Sequence, residues 1–493
     1  MIPLRTDGRE AARWPSRNLV VLALLIPAMI GCNALGQRAE QGVPFDVPAA
    51  WSVSEIPAFG SNSSLARWWL RFEDALLEQL VTQALQTNTS VRSAQAALRQ
   101  ARALRDVSAA ALFPQIGSSA SAQRSSAGSN EAVDSYKAGL DASWELDVFG
   151  VNRSALNAAD ATARASAASL GDVQVSVAAE VALAYITLRG AQLRLAIAAA
   201  NLASQQETLQ IAQWRMQAGL ITSLEAEQAR AAAEQTRAQL PVLETSIEQT
   251  RHALAVLTGQ PPAALASMLA AAGPVPQAAD TLVIGIPAET LRQRPDVRAA
   301  EFQVTAAMAR VAQAEAARAP NFKLGGSLGL GAATLGVLTH DASVLRAVLA
   351  SVSLPVFDGG ALHAQVRGQQ AALDKAGVAY QAAVLGALKD VEDALSALRG
   401  QRDRLLRLQR AAEAAGNAST LARQRFSSGL ADFQIVLETQ RTQLSAQDSV
   451  AGASADLGAD HVRLYKALGG GWRAEGGDAV PAAADNTSGN GPQ

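Results

Sequence analysis

The chain has 493 residues, 42 Lys+Arg against 44 Asp+Glu, a formal net charge of −2, and 49% hydrophobic but only 4% aromatic residues. Roughly a fifth of it is alanine, the best helix former and a poor source of buried area, so the composition describes helices without a bulky core. Near-neutral charge gives no reason to expect nucleic-acid binding, one cysteine excludes a disulfide framework, and four scattered histidines leave no metal-ligand pattern.

At the N-terminus, Arg5, Arg9, Arg13 and Arg17 precede an apolar run from Leu19 to Ile30. A basic stretch, a short apolar stretch and a small residue before the cut describe a signal peptide over 1–31. The run is too short to span a bilayer, which takes about 20 residues. Met29-Ile30-Gly31-Cys32 resembles the lipobox of bacterial lipoproteins. That resemblance implies that Cys32 becomes the first mature residue and carries diacylglycerol and an N-acyl chain. Asn33 in place of Asp implies sorting to the outer membrane, with 32–64 as a lipid-anchored lead segment.

Beyond residue 65 the chain repeats itself. Asn88–Pro114 aligns without gaps on Arg294–Pro320, Ala142-Ser143 and Val148-Phe149 match Ala350-Ser351 and Val356-Phe357, and Gly219-Leu220 and Gly259 match Gly429-Leu430 and Gly469. The chain therefore reads as a tandem duplication, 65–273 and 274–470, with 471–493 as a disordered tail. Pro274, Pro276 and Pro287 mark the linker between the halves.

Each half opens with an Ala-rich helix that ends at a proline, Pro114 or Pro320. A strand pair follows, 115–124 with 136–146 in the first half and 321–330 with 344–354 in the second. In 136–146, Tyr136, Ala138, Leu140, Ala142, Trp144 and Leu146 alternate with polar or small residues, the period of a strand with one apolar face. Long helical hairpins then run over 151–259 and 361–469. Val151–Arg215 and Ala361–Ser427 contain no proline, and about 65 helical residues extend nearly 100 Å, some three times a hydrocarbon core. Apolar stripes such as Val173, Val177, Val181, Ala184 and Leu188 suit shallow side-by-side packing. Gly219 and Gly429 stop the outgoing helices.

Four strands cannot close a barrel, and open sheet edges are not tolerated in a bilayer, so the barrel must be completed by further copies. Strands of about ten residues match a tilted transmembrane strand, and hairpins of this length must project into water. The sequence resembles the outer-membrane efflux protein family, the TolC-like factors, in its NodT-type lipoprotein branch. The resemblance rests on Trp68-Trp69 with Phe72, on Ile286-Pro287-Ala288-Glu289 with Leu291 to Glu301, on Leu354 to Gly360, on Gly429 to Phe433, and on Leu464 to Trp472. It implies a mainly α homotrimer with a twelve-stranded transmembrane β-barrel continued by an α-helical barrel in the periplasm. It also implies two partners, a periplasmic adaptor and an inner-membrane pump of RND type. The expected function is a passive duct for small toxic compounds or drugs. The exit duct of a protein-secretion system and a lipid-anchored periplasmic scaffold without a pore remain as alternatives.

A duct needs no catalytic group, and no nucleophile–base pair or carboxylate dyad stands out. Gly219, Leu220, Ile221 and Thr222, with Gly429, Leu430, Ala431 and Asp432, fall where the family docks its adaptor. Aligned on Gly429, one acidic gate position is Ile435, while Glu438 and, in the first half, Glu225 keep a carboxylate. Symmetry copies of such a carboxylate at a constriction would favour cations. The run Gly325 to Gly331 lacks the Lys-Ser/Thr end of a phosphate loop and reads as a strand. Arg292, Arg294 and Arg298 with Asp296 read as an ion-pair network at a helix start.

Overall fold

Two side chains decide how the helical part begins. In the computed structural model, which describes residues 65–126, 128, 131–278 and 287–472 with 46, 48 and 50–52, Asp74 accepts from the amides of Leu76 (2.9 Å) and Leu77 (3.0 Å) and opens α1, Ala75–Thr87. Asn88 accepts from the amides of Ser90 (2.8 Å) and Val91 (3.3 Å) and opens α2, Thr89–Ala110. The single opening helix expected of the first half is thus two helices, because an Asx side chain competes with the backbone for its own amides. Cys32, the 1–31 stretch, most of 32–64 and 473–493 lie outside the described residues.

Strands β1 (Gln115–Ser125) and β2 (Val133–Leu146) follow, then α3 (Val151–Gln217) and α4 (Ser223–Leu257). The second half runs α5 (Pro287–Gln293), α6 (Pro295–Ala316), β3 (Asn321–Ala332), β4 (Val344–Ser353), α7 (Ala361–Ser427) and α8 (Phe433–Ala467). Helices α3 and α7 each have 67 residues, α4 and α8 each 35. Helix α4 passes through Pro241 without interruption; this residue is exposed, so the carbonyl that loses its partner there faces solvent. Helix α5 begins on Pro287, inside the expected linker, since proline lacks only an amide that a first turn leaves unused.

The four strands form one antiparallel sheet in the order β1-β2-β3-β4. Ile116 lies opposite Ala142, Leu140 opposite Leu328, Trp144 opposite Leu324, and Leu324 opposite Ala350. These residues share one face. On the other face Lys137 meets Gly331, Asp141 meets Ser327, and Glu145 meets Lys323. Ser119 donates to the Asp141 carboxylate across that polar face at 3.0 Å. Gly139 and Gly329 sit opposite each other; a Cβ on Gly329 would lie 2.7 Å from the Ala138 carbonyl oxygen, so the close strand approach requires glycine. Strands β1 and β4 are exposed along their whole length and are the two unpaired edges.

Most large buried side chains gather around the middle of α3, which packs against α2, α4, α6 and α8. Val177, Val181 and Leu188 are buried, as their spacing predicts, and so are Ala178, Ala179, Ala182 and Ile186 on other faces. An 18-residue window of α3 is apolar enough for a membrane span, yet 44% of it is buried in protein. Burial on several sides accounts for that apolarity. Trp68 stacks on Tyr465 with centroids 5.3 Å apart, closing the core between the two halves. Tyr185 donates to Asp74 (2.9 Å) and accepts from Arg189 (Nε 3.0 Å, Nη2 2.9 Å), while Arg189 Nη1 donates to the Ala271 carbonyl at 2.6 Å. Burial, with smaller contributions from these partners, pushes the Tyr185 phenol up to about 12. One polar chain thereby ties α1, α3 and the segment after α4.

The first two residues of the expected tail, Gly471 and Trp472, are packed. Trp472 donates from Nε1 to the Gln293 carbonyl (3.2 Å), lies under the Arg298 guanidinium (5.5 Å to the ring centroid), and packs so near Gly171 that a Cβ there would come within 2.6 Å. Gly471 and Trp472 belong to the folded body because the ring fills space beside α3.

Candidate functional site at the hairpin tips

The two tips have the same backbone and unlike side chains. After α3, the amide of Gly219 bonds to the Met216 carbonyl (2.9 Å) and that of Leu220 to the Arg215 carbonyl (2.8 Å). After α7, Gly429 bonds to Phe426 (3.1 Å) and Leu430 to Arg425 (2.8 Å). This double bond pattern is the Schellman end, and φ is +73° at both glycines, a conformation that side chains rarely adopt. The residue after such a glycine ordinarily packs back on the helix. Here Leu220 and Leu430 are each 71% exposed. Each tip holds a large apolar side chain out in water.

The return helices start differently. Thr222 caps α4, and the Glu225 carboxylate accepts from the Thr222 amide (2.8 Å) and from its hydroxyl, completing a capping box. The Thr222 hydrogen bond holds the Glu225 carboxyl below the usual carboxylate range. Glu225 is thus occupied at its own helix start. At the second tip Asp432 occupies the cap position without a side-chain cap bond. Glu438 is exposed on α8, about one and a half turns into the helix, and makes no side-chain hydrogen bond or ion pair among the described residues. Ile435, one turn nearer the tip, is 49% exposed.

Just inside the tips the hairpins are joined. Phe433 is buried among Ala212, Ala229, Ala232 and Leu437, with its ring 5.2 Å from that of Phe426. The Arg215 guanidinium lies 4.2 Å from the Phe426 ring centroid and donates to the Phe426 (3.3 Å) and Ser427 (3.4 Å) carbonyls. Gln440 donates to Thr208 at 2.9 Å and Gln434 to Gln228 at 2.7 Å. Arg215 and Phe426 carry no sequence signal, and Phe433 enters from sequence only as the last residue of the Gly429–Phe433 motif, which does not reveal that it packs against the neighbouring hairpin.

A second cluster lies at the start of α6. Arg294 donates to both oxygens of Asp296 (3.0 and 2.7 Å), to Asp390 on α7 (3.1 Å), and to the Ala467 carbonyl on α8 (2.8 Å). The expected network holds for Arg294 and Asp296, while Arg298 turns to Trp472 instead. Asp172 on α3 lines the same cleft. Burial, then the Asp296 charge, raises its carboxyl above the ordinary range, with Lys466 and Arg294 opposing. The folded chain therefore holds this proton more tightly than the unfolded chain, so stability falls as pH rises from the ordinary carboxylate range through the raised one. Asp172→Asn should stabilise the protein at pH 7.5 by about 0.5 kcal/mol, allowing for partial exposure, and give no gain near pH 3.5. Urea midpoints of the helical signal at the two pH values check this.

A sheet with one lipid-like face and two open edges, carried on helical hairpins nearly 100 Å long, is the subunit architecture of an outer-membrane channel. The model of the outer membrane efflux protein family matches residues 80–260 and 286–470, one segment in each half. The chain belongs to that family. It is 33% identical over 467 residues to the pyoverdine export outer membrane protein OpmQ of Pseudomonas putida, covering 92% of this chain and 97% of the relative. It is 29% identical over 460 residues to nodulation protein T of Rhizobium leguminosarum bv. viciae, covering 92% and 93%. The structure of the outer-membrane channel OprN superposes with a TM-score of 0.82 at 38% identity, covering 88% of this chain and 99% of that one. The chain is thus an outer-membrane efflux protein with the fold of these channels.

Proposed function

We propose that three copies of the chain join their sheets into a twelve-stranded barrel and their hairpins into a periplasmic tube, a passive duct from an RND-type pump and its adaptor to the exterior. The observation that carries this is the sheet: its apolar face is lipid-compatible, and its edges β1 and β4 find backbone partners only in other copies. Tyr136 and Trp144 lie on the apolar face about 27 Å apart along the strand, or about 19 Å of membrane depth at a 45° tilt, so the two aromatics fall toward opposite ends of the apolar band. The cargo is small toxic compounds or drugs, and no step of the transport requires a catalytic residue. Cys32 anchors the mature N-terminus through diacylglycerol and an N-acyl chain; labelled palmitate should enter the wild type and not Cys32→Ser. The test of the duct is conductance across planar bilayers by the purified protein, together with heat-dissociable trimers in the outer-membrane fraction. A monomer extractable without detergent would refute it.

Within the duct, Glu438 sets cation preference near the tips, whereas Glu225 contributes mainly as a cap. Glu438→Gln should lower the cation-to-anion permeability ratio about two- to threefold, and Glu225→Gln should change it less. Reversal potentials in a salt gradient read both, and an unchanged ratio in Glu438→Gln removes that residue from the gate.

A further inference from the structure

Three lipid-facing charges remain unexplained by the duct. Arg124, Asp134 and Arg346 lie on the apolar face: Arg124 opposite Asp134, and Arg346 opposite Leu328, in the rows that hold Ile116, Leu140 and Val348. Arg124 meets the Asp134 carboxylate at 3.7 Å. Arg346 is exposed and makes no hydrogen bond or ion pair among the described residues. All three lie toward the end of the sheet away from the helices, which faces outward if the helices are periplasmic; the inference rests on that reading.

The internal repeat says what Arg346 faces across the edge. Within the chain, β2 meets β3 at the junction of the halves, with Ala138 opposite Leu330 and Leu146 opposite Phe322. Strand β4 is the repeat equivalent of β2, and β1 of β3. Carrying each residue to its equivalent places Arg346 of one copy opposite Arg124 of the next, and Leu354 opposite Ile116. Faces match across this seam, apolar to apolar. Followed around the barrel, the register advances about six residues per copy and about eighteen for three, which tilts twelve strands by about 45°, within the range of membrane barrels. A register slip of two residues would keep the faces and leave the two arginines diagonal neighbours, still within reach.

Like charges directly opposite on a sheet repel, and Asp134 neutralises only one of the two. Arg346 lies close to the level of Tyr136, the outer aromatic, where headgroups begin. We propose that each seam between copies is a binding ledge for a phosphorylated lipid headgroup of the outer leaflet, held by Arg346 of one copy and Arg124 of the next. Guanidinium groups bind phosphate through paired N–H donors, and the anion turns the repulsion at the seam into a bridge. Each trimer offers three such ledges, and none exists on a single copy.

Native mass spectrometry of the full-length protein in detergent, titrated with diphosphoryl lipid A, tests this. The wild-type trimer should take up to three lipids. Arg346→Gln and Arg124→Gln should each lower occupancy about fivefold or more, and Lys137→Gln, on the polar face, should not. Without lipid A the Arg346→Gln trimer should dissociate at the wild-type temperature or above, since repulsion is relieved; with lipid A only the wild type should gain. Equal occupancy in wild type and arginine variants overturns the ledge, as does displacement of the lipid by millimolar inorganic phosphate alone. A wild-type chain that forms no trimer overturns the duct itself and the ledge with it.

Discussion

Arg294→Ala should lower the unfolding free energy by about 2–3 kcal/mol, less than for a fully buried pair because the carboxylates it leaves, on Asp296 and Asp390, are 32% and 51% exposed. The side chain is 9% exposed and binds Asp296, Asp390 and the last carbonyl of α8, that of Ala467, so it joins α6, α7 and α8 at one point. Its loss leaves two carboxylates facing each other and the Ala467 carbonyl without its donor. Arg294→Met should cost less than the expected range only if Asp296 and Asp390 are also made neutral, because the apolar stem alone does not answer their charge. The denaturant midpoint of the helical signal measures the loss, and the triple variant tests its origin. A midpoint unchanged in Arg294→Ala would mean that the cluster contributes nothing.

Leu220→Asp combined with Leu430→Asp should abolish export while leaving trimers intact. Each leucine is 71% exposed at a position that normally packs inward, so neither substitution removes buried area from the chain. If the adaptor grips these side chains, each acts as an anchor whose loss costs about 2 kcal/mol, or roughly thirtyfold in affinity. Adaptor affinity by titration and drug susceptibility of a complemented deletion strain read the two levels. Unaltered affinity with both leucines replaced would move the docking site away from the tips.

Much of this architecture is legible in the sequence because it depends on local periods. Alternation over 136–146 marks β2, and proline-free runs with regular apolar spacing mark α3 and α7. Glycines 219, 259, 429 and 469 all take positive φ at helix ends, as their places in the repeat suggest. What escapes is non-local or depends on a competing side chain. Asn88 divides one expected helix in two by capping its own successor. Asp390 joins Arg294 from a different helix, and no local pattern points to it. Phe433 and Phe426 meet only because two hairpin ends lie side by side. Trp472 reads as the beginning of a tail until its ring is seen filling the space above Gly171. At the candidate site, the sequence does not show how the carboxylates are occupied: Glu225 is held by Thr222, while the Glu438 side chain has no partner among the described residues.

The unequal caps of the two tips bear on symmetry. Duplication produced two hairpins of equal length, yet one begins its return with a Thr–Glu clasp and the other with an uncapped aspartate and a buried phenylalanine. Six tips brought together by three copies would be a crown of alternating unlike teeth. A partner gripping the whole crown meets two chemistries at equal spacing, and must either present two kinds of contact or read only the leucine that both teeth share.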